Sequence, residues 1–182
     1  MSAKLEKGAA NDQYNPPPYV KAAGYLSVYD LFREASTRTP YSRSLVDRTR
    51  QYTYQQTLTR VNAIAAALSA RGLHQGDRIA VLAENCIDYV ELHLAAACLG
   101  VIVACQNWRL NTEEVEQCIQ LVSPSMLVYS SRFAHIADTI SAKNTLDAVS
   151  LQSGIAEWVE NYQGQAPVSV SDIEVGLLIL YT

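Results

Sequence analysis

The chain has 182 residues, of which 49% are hydrophobic and 18% charged, the balance of a globular protein rather than a disordered one. A net charge of −4 without a run of Lys or Arg argues against a nucleic-acid partner, which needs a basic surface. Residues 1–13 lack the apolar core of a secretory signal, and the longest nearly apolar stretch, 92–105, is shorter than the roughly 20 residues of a transmembrane helix. We therefore expect a cytoplasmic protein without a transmembrane segment.

Residues 1–24 have the composition of a loop and contain three consecutive prolines, Pro16, Pro17 and Pro18. Consecutive prolines favour an extended polyproline conformation. This stretch is predicted to be an N-terminal arm. A ligand for a proline-binding module is the alternative, and the lack of a basic flank favours a plain spacer.

The first regular elements are predicted between residues 27 and 54. Ser27 is a good N-cap, apolar residues follow it at helical spacing, and Pro40 lies just past the end of that helix. Two short β-rich runs, 44–46 and 51–54, flank a polar stretch and predict a small hairpin.

A regular alternation of helices and short apolar strands follows. Helices are predicted over 55–70, 87–99, from Asn111 or Thr112 to Leu121, and over 132–140; strands are predicted over 78–82, 101–104 and 126–129. Nearly continuous apolar runs are typical of buried parallel strands, and Gly72 and Gly100 are placed to end two of the helices. The order predicts an α/β fold, a doubly wound, mostly parallel sheet flanked by helices, with the small N-terminal β-hairpin.

The last forty residues are predicted to hold a short strand over 148–151, a helix over 154–162, a capping turn over 171–174 and an apolar strand over 176–182. Ligands of such sheets bind at the carboxyl ends of the strands, and here the sequence stops at that end. We expect either an imposed boundary or further protein beyond Thr182. An unpaired apolar strand at that position predicts a homodimer or aggregation.

Several segments resemble one family in their order and spacing. They are Tyr52-Thr53-Tyr54, similar to "T-Y-x-E-L"; Gly76-Asp77-Arg78-Ile79-Ala80, similar to "G-D-R-V-A"; Glu84-Asn85-Cys86, similar to "x-N-S/C"; the stretch 99–110, similar to "L-G-A-V-V-x-P-L-N-W-R-L"; and Leu180-Tyr181-Thr182, which matches the opening of "Y-T-S-G-T-T-G-x-P-K-G". From about Leu26 to Thr182 the chain resembles the adenylate-forming (AMP-binding) superfamily. Asn107-Trp108-Arg109-Leu110 favours its acyl-CoA synthetases. Cys105 and Gln106 depart from the pattern, which has proline and leucine there.

The resemblance implies a ligase that joins a carboxylic or fatty acid to coenzyme A, using ATP and Mg²⁺ and releasing AMP and pyrophosphate. The family's phosphate-binding loop would begin at Thr182, the one residue to which a cofactor-binding role carries over. No catalytic or metal-binding residue can be assigned, because the resemblance places those downstream. Residues 25–182 are therefore interpreted as part of an AMP-binding α/β domain, truncated before that loop and inactive in isolation.

Other candidate residues favour structural roles. His74, His93 and His135 have no partner that the sequence identifies; Asp47 and Glu84 could act as bases but stand where carboxylates form caps or ion pairs. The turn 107–109 is predicted to be held by stacking of Trp108 with Arg109. The four cysteines, at 86, 98, 105 and 118, lack the spacing of a zinc or redox motif and are expected to be reduced.

Three functions remain open at this point. The first is an amino-terminal portion of an acyl-CoA synthetase. The second is a self-standing α/β binding or interaction module derived from that fold. The third is a member of the same superfamily that activates an aromatic or amino acid.

Overall fold

A computed structural model of the chain describes residues 26–165, 167, 169–170 and 174–181. Its elements, in chain order, are α1 (Val28–Arg38), β1 (Arg43–Val46), β2 (Gln51–Thr53), α2 (Tyr54–Ala70), β3 (Arg78–Leu82), α3 (Ile87–Leu99), β4 (Ile102–Cys105), α4 (Thr112–Val122), β5 (Met126–Tyr129), the 3₁₀ turn Ser131–Phe133, α5 (Ala134–Asn144), β6 (Ala148–Ser150), α6 (Leu151–Asn161) and β7 (Leu178–Ile179). The predicted arm over 1–24, most of the turn over 171–174 and Thr182 lie outside the described residues. No helix among the described residues is long and apolar enough to cross a membrane.

The five strands β3 to β7 form one parallel sheet in the order β6-β5-β3-β4-β7, and β1 and β2 form a separate antiparallel hairpin. This confirms the predicted α/β fold with its small hairpin. The order of the strands in the sheet could not be predicted from the sequence, because buried parallel strands have nearly the same apolar composition at every position in a sheet.

The sheet separates two layers of helices. Alternate side chains of β3 point to opposite faces: Ile79 and Val81 join a core with α1, α2, α3 and α6, whereas Ala80 and Leu82 join a core with α4 and α5. The two connections that step toward the β7 edge, β3 to β4 and β6 to β7, pass through α3 and α6 on one face of the sheet. The two that step toward the β6 edge, β4 to β5 and β5 to β6, pass through α4 and α5 on the other face. Every crossover therefore has the same hand, as expected for parallel strands.

Several predicted boundaries shift, among them the strand predicted over 176–182, which is limited to Leu178–Ile179, and three of the shifts have identifiable reasons. The N–H of Val101 bonds to the carbonyl of Ala96 at 2.9 Å and closes the end of α3, so β4 begins one residue later than predicted. The helix predicted from 132 begins at Ala134, because a 3₁₀ turn precedes it. Leu151, predicted as strand, is the first residue of α6, where it is buried at helical spacing from Ile155 and Trp158.

Asn111 caps α4 with a complete capping box. Its Oδ1 accepts from the N–H of Glu114 at 3.0 Å, and the Glu114 carboxylate accepts from the N–H of Asn111 at 2.9 Å. Replacing Asn111 with alanine leaves the N–H of Glu114 without this acceptor. We expect a loss of about 1 kcal/mol in the free energy of unfolding, with Asn111→Ser close to wild type. Urea denaturation of both variants measures the difference, and an unchanged midpoint for Asn111→Ala would contradict it.

Strand β7 occupies one edge of the sheet. It pairs with β4 through Leu178 and Ile179, and the side chains of Leu178 and Leu180 are exposed by 43% and 68%. Among the described residues no strand pairs with its outer side. The homodimer was predicted from an unpaired apolar strand, and β7 has this character. Self-association itself stays a prediction.

Candidate functional site at the carboxyl edge of the sheet

The carboxyl ends of the parallel strands meet along one edge of the sheet. The chain leaves β3 over one face and leaves β5, its neighbour, over the other. This divergence is the kind of position at which open α/β sheets bind ligands. Glu84, after β3, and Arg132, after β5, form an ion pair across it. The predicted alternative of Glu84 as an ion-pair partner is therefore confirmed.

The turn after β4 adds an aromatic and basic surface to the same edge. The guanidinium of Arg109 lies 4.3 Å from the centre of the Trp108 ring, and that of Arg132 lies 5.4 Å from it. Trp108 also packs near Phe133, with ring centres 6.3 Å apart, while Asn107 accepts a hydrogen bond from the N–H of Arg109 at 3.1 Å. The predicted stacking of Trp108 with Arg109 is confirmed.

Gln106 joins the end of β4 to the end of β7, a role that its sequence position did not suggest. Its buried side-chain amide donates to the carbonyl of Ala104 at 3.0 Å and to the hydroxyl of Tyr181 at 3.1 Å. The Tyr181 hydroxyl in turn donates to the carbonyl of Cys118 in α4 at 2.9 Å. Tyr181, the residue before Thr182, is thereby held on both the sheet and a helix.

The Gln106 side chain keeps one buried acceptor, Oε1, for which the described residues supply no hydrogen bond. Leucine, the residue in the resembled pattern, would leave no such atom. The signal that could have found Gln106 was therefore its departure from that pattern in a buried position.

Few of the described residues bear on where the nucleotide and Mg²⁺ implied by the resemblance would bind. Thr182 is not described, and among the described residues no three or more His, Cys, Asp or Glu side chains are grouped as metal ligands. The side chain of Tyr181 holds the end of β7 at the carboxyl edge, next to the position from which the phosphate loop is predicted to start. Arg109 supplies positive charge farther along the same edge, whereas the charge of Arg132 is paired with Glu84.

The histidines are not brought together. His74 and His135 are exposed, whereas His93 is partly buried on α3, with Nδ1 2.8 Å from the carbonyl of Tyr89 and Nε2 3.6 Å from Sγ of Cys105. The sequence did not identify these partners. All four cysteines are free thiols, as expected.

A buried ionic network fastens the hairpin and α2 to α3. Arg60 donates to Glu91 through Nε and Nη2, at 2.6 and 2.8 Å, and Arg50 donates to Asp88 through two contacts of 2.9 Å. Glu91 is fully buried, and Arg50 also holds Asp47 at 3.0 Å. Asp47 is thus an ion-pair partner rather than a free base, with its pKa lowered to about 2 chiefly by backbone N–H donors. Two acids within an apolar helix were the sequence signal for this network.

A family model described as "AMP-binding enzyme" matches residues 32–182. Among curated proteins, the fatty acid–[acyl-carrier-protein] ligase ScoC of Streptomyces coeruleorubidus is 29% identical over 128 residues, covering 70% of this chain and 25% of ScoC. The long-chain-fatty-acid–CoA ligase FadD13 of Mycobacterium tuberculosis is 26% identical over 159 residues, covering 84% of this chain and 31% of FadD13. The chain thus spans about a quarter to a third of the length of these relatives.

Solved structures show the same similarity. A Mycobacterium tuberculosis fatty acyl CoA synthetase superposes with a TM-score of 0.80 at 26% identity, over 86% of this chain and 32% of that one. The N-terminal domain of FACL13 from the same organism gives a TM-score of 0.79 at 26% identity, over 86% of this chain and 41% of that one.

Proposed function

Because the chain belongs to the AMP-binding enzyme family of adenylate-forming ligases, we propose that it is the amino-terminal portion of an AMP-forming acyl-CoA synthetase. The complete protein would join a carboxylic acid, with a fatty acid as the first candidate, to coenzyme A at the expense of ATP. ATP supplies the adenylyl group that activates the acid, with pyrophosphate as the leaving group, and Mg²⁺ offsets the charge of the ATP phosphates. A cytoplasmic location and the division into an arm over 1–24 and a partial AMP-binding domain over 25–182 belong to the same proposal.

The structural observation that supports this proposal is the pair of hydrogen bonds that holds Tyr181 at the carboxyl edge of the sheet. A phosphate loop that begins at Thr182 needs a fixed starting point, since its backbone N–H groups must stand ready for the phosphates. The two hydrogen bonds of the Tyr181 hydroxyl, to Gln106 and to Cys118, supply that fixed point.

The test is acid-dependent exchange of pyrophosphate into ATP by the protein purified from its native source, followed by thioester formation with CoA. We expect exchange with at least one member of a panel of short-chain to long-chain fatty acids, and a CoA thioester of the same acid. The isolated 182-residue chain serves as the control and should show no exchange. Exchange by the isolated chain would contradict the proposed dependence on downstream residues.

A second arm of the test covers the rival functions. Exchange only with aromatic or amino acids would support the third hypothesis. A thioester formed with holo acyl-carrier protein but not with CoA would identify acyl-carrier protein, the acceptor in the name of ScoC, as the thiol acceptor of this protein. If the native protein has the mass of the 182-residue chain and shows no exchange, the self-standing binding module replaces the ligase.

A further inference from the structure

Cys105 ends β4 at the carboxyl edge and is partly exposed. Proline stands at this position in the pattern that the chain otherwise resembles. A partly exposed thiol beside a base is the environment in which cysteines become reactive.

His93 is that base. The carbonyl of Tyr89 can only accept, so the 2.8 Å contact assigns the proton of the neutral ring to Nδ1. Nε2 therefore presents its lone pair to Sγ of Cys105 at 3.6 Å. Burial lowers the pKa of His93, which keeps the imidazole neutral.

Tyr89 completes the surroundings of the sulfur. Its ring meets that of His93 edge to face, with centres 4.5 Å apart. Burial is the main cause that raises the pKa of Tyr89, so its hydroxyl stays protonated.

The other cysteines lack this arrangement. Cys98 is fully buried, and burial raises its pKa to about 11. Burial also raises the pKa of Cys86. Cys118 is partly exposed like Cys105, but within the described part of the chain no imidazole contacts it. It is therefore the matched comparison.

We propose that Cys105 is a modification site, a nucleophilic thiol that His93 deprotonates for reaction with peroxides. The thiol proton passes to Nε2 of His93 as the sulfur attacks one oxygen of hydrogen peroxide. An S–O bond forms, the O–O bond breaks, and the departing hydroxide takes the proton from His93 and leaves as water. The sulfur is oxidised by two electrons to a sulfenic acid and the peroxide is reduced.

The experiment treats the folded 182-residue chain with hydrogen peroxide, traps sulfenic acid with dimedone and quantifies each cysteine peptide by mass spectrometry. We expect the initial rate at Cys105 to exceed that at Cys118 by at least about 10-fold. His93→Gln should lower the rate at Cys105 by about 10-fold and leave the rate at Cys118 unchanged. His135→Gln, which changes an exposed histidine, is the control and should alter neither rate.

Equal rates at Cys105 and Cys118, or a Cys105 rate that His93→Gln leaves unchanged, would overturn the proposal. If His93→Gln fails to fold by circular dichroism, the wild-type chain provides the second measurement. Its rate ratio of Cys105 to Cys118 should collapse to about one in concentrated urea, where the imidazole and thiol separate. A ratio that is no larger in the folded chain than in urea would also overturn it.

Discussion

Replacing Arg60 with methionine is expected to lower the free energy of unfolding by about 3–5 kcal/mol, because it leaves the buried carboxylate of Glu91 without its partner. Glu91 is 0% exposed, and both of its oxygens accept from the Arg60 guanidinium. The double variant Arg60→Met with Glu91→Leu removes both charges and should recover most of the loss. Urea denaturation followed by circular dichroism measures all three proteins.

Arg33→Met is the matched control. Arg33 pairs with Asp30 at 2.9 Å within α1, but its own side chain is 53% exposed, so its loss should cost at most about 1 kcal/mol. A loss for Arg60→Met as small as that of the control would show that the Arg60–Glu91 pair contributes little.

The pH dependence of the Arg60→Met variant gives an independent check. Burial raises the pKa of Glu91, and Arg60 is the main group that opposes this rise, so the pKa should rise further in the variant. An acid whose pKa is higher in the folded state than in the unfolded state contributes most stability below its unfolded pKa. That contribution is lost as pH rises through the folded pKa. The deficit relative to wild type should therefore shrink between about pH 8 and about pH 5. A deficit that grows on acidification would contradict this explanation.

Gly154→Ala is expected to destabilise the protein by about 1–3 kcal/mol, although alanine is the better helix former by roughly 1 kcal/mol. A Cβ at position 154 would lie 2.4 Å from Cγ1 of Val149, so α6 approaches β6 more closely than any side chain allows. Valine is branched at Cβ and has little rotamer freedom with which to move aside. Thermal unfolding of the variant measures the loss.

Ser153→Ala is the control for Gly154→Ala, because Ser153 is an exposed neighbour in the same helix. It should leave stability unchanged or raise it by a few tenths of a kcal/mol. Combining Gly154→Ala with Val149→Ala should cost less than the sum of the single changes, since Val149→Ala removes the obstacle to the new Cβ and the new methyl group fills part of the space left by valine. Additive losses would mean that the clash is relieved elsewhere.

The sequence predicted the local elements closely and the long-range contacts hardly at all. Helix α3 was predicted with both ends correct, because Gly100, with φ at 68°, stops it and apolar residues fill it. The acids Asp88 and Glu91 within that helix were visible, but their partners Arg50 and Arg60 precede them by 38 and 31 residues. Nothing in local spacing connects such pairs.

The candidate site divides in the same way. The turn of Trp108 and Arg109 was predicted because both residues are adjacent in sequence, and their stacking needs only a local turn. The contact of Gln106 with Tyr181 joins residues 75 apart and depends on the strand order, which apolar patterning leaves open. The phosphate loop predicted to start at Thr182 rests on the family pattern alone.

The position of β7 also has a consequence for the order of folding. Strands β3 and β4 are joined by a single helix, whereas β7 pairs with β4 only after the chain has passed through β5 and β6 and returned across the sheet. Closing a longer loop costs more chain entropy, and β7 brings only two residues of strand to offset it. We expect β7 to be the last strand to assemble and the first to open in native-state fluctuations. We therefore expect the two hydrogen bonds of the Tyr181 hydroxyl to slow the opening of β7.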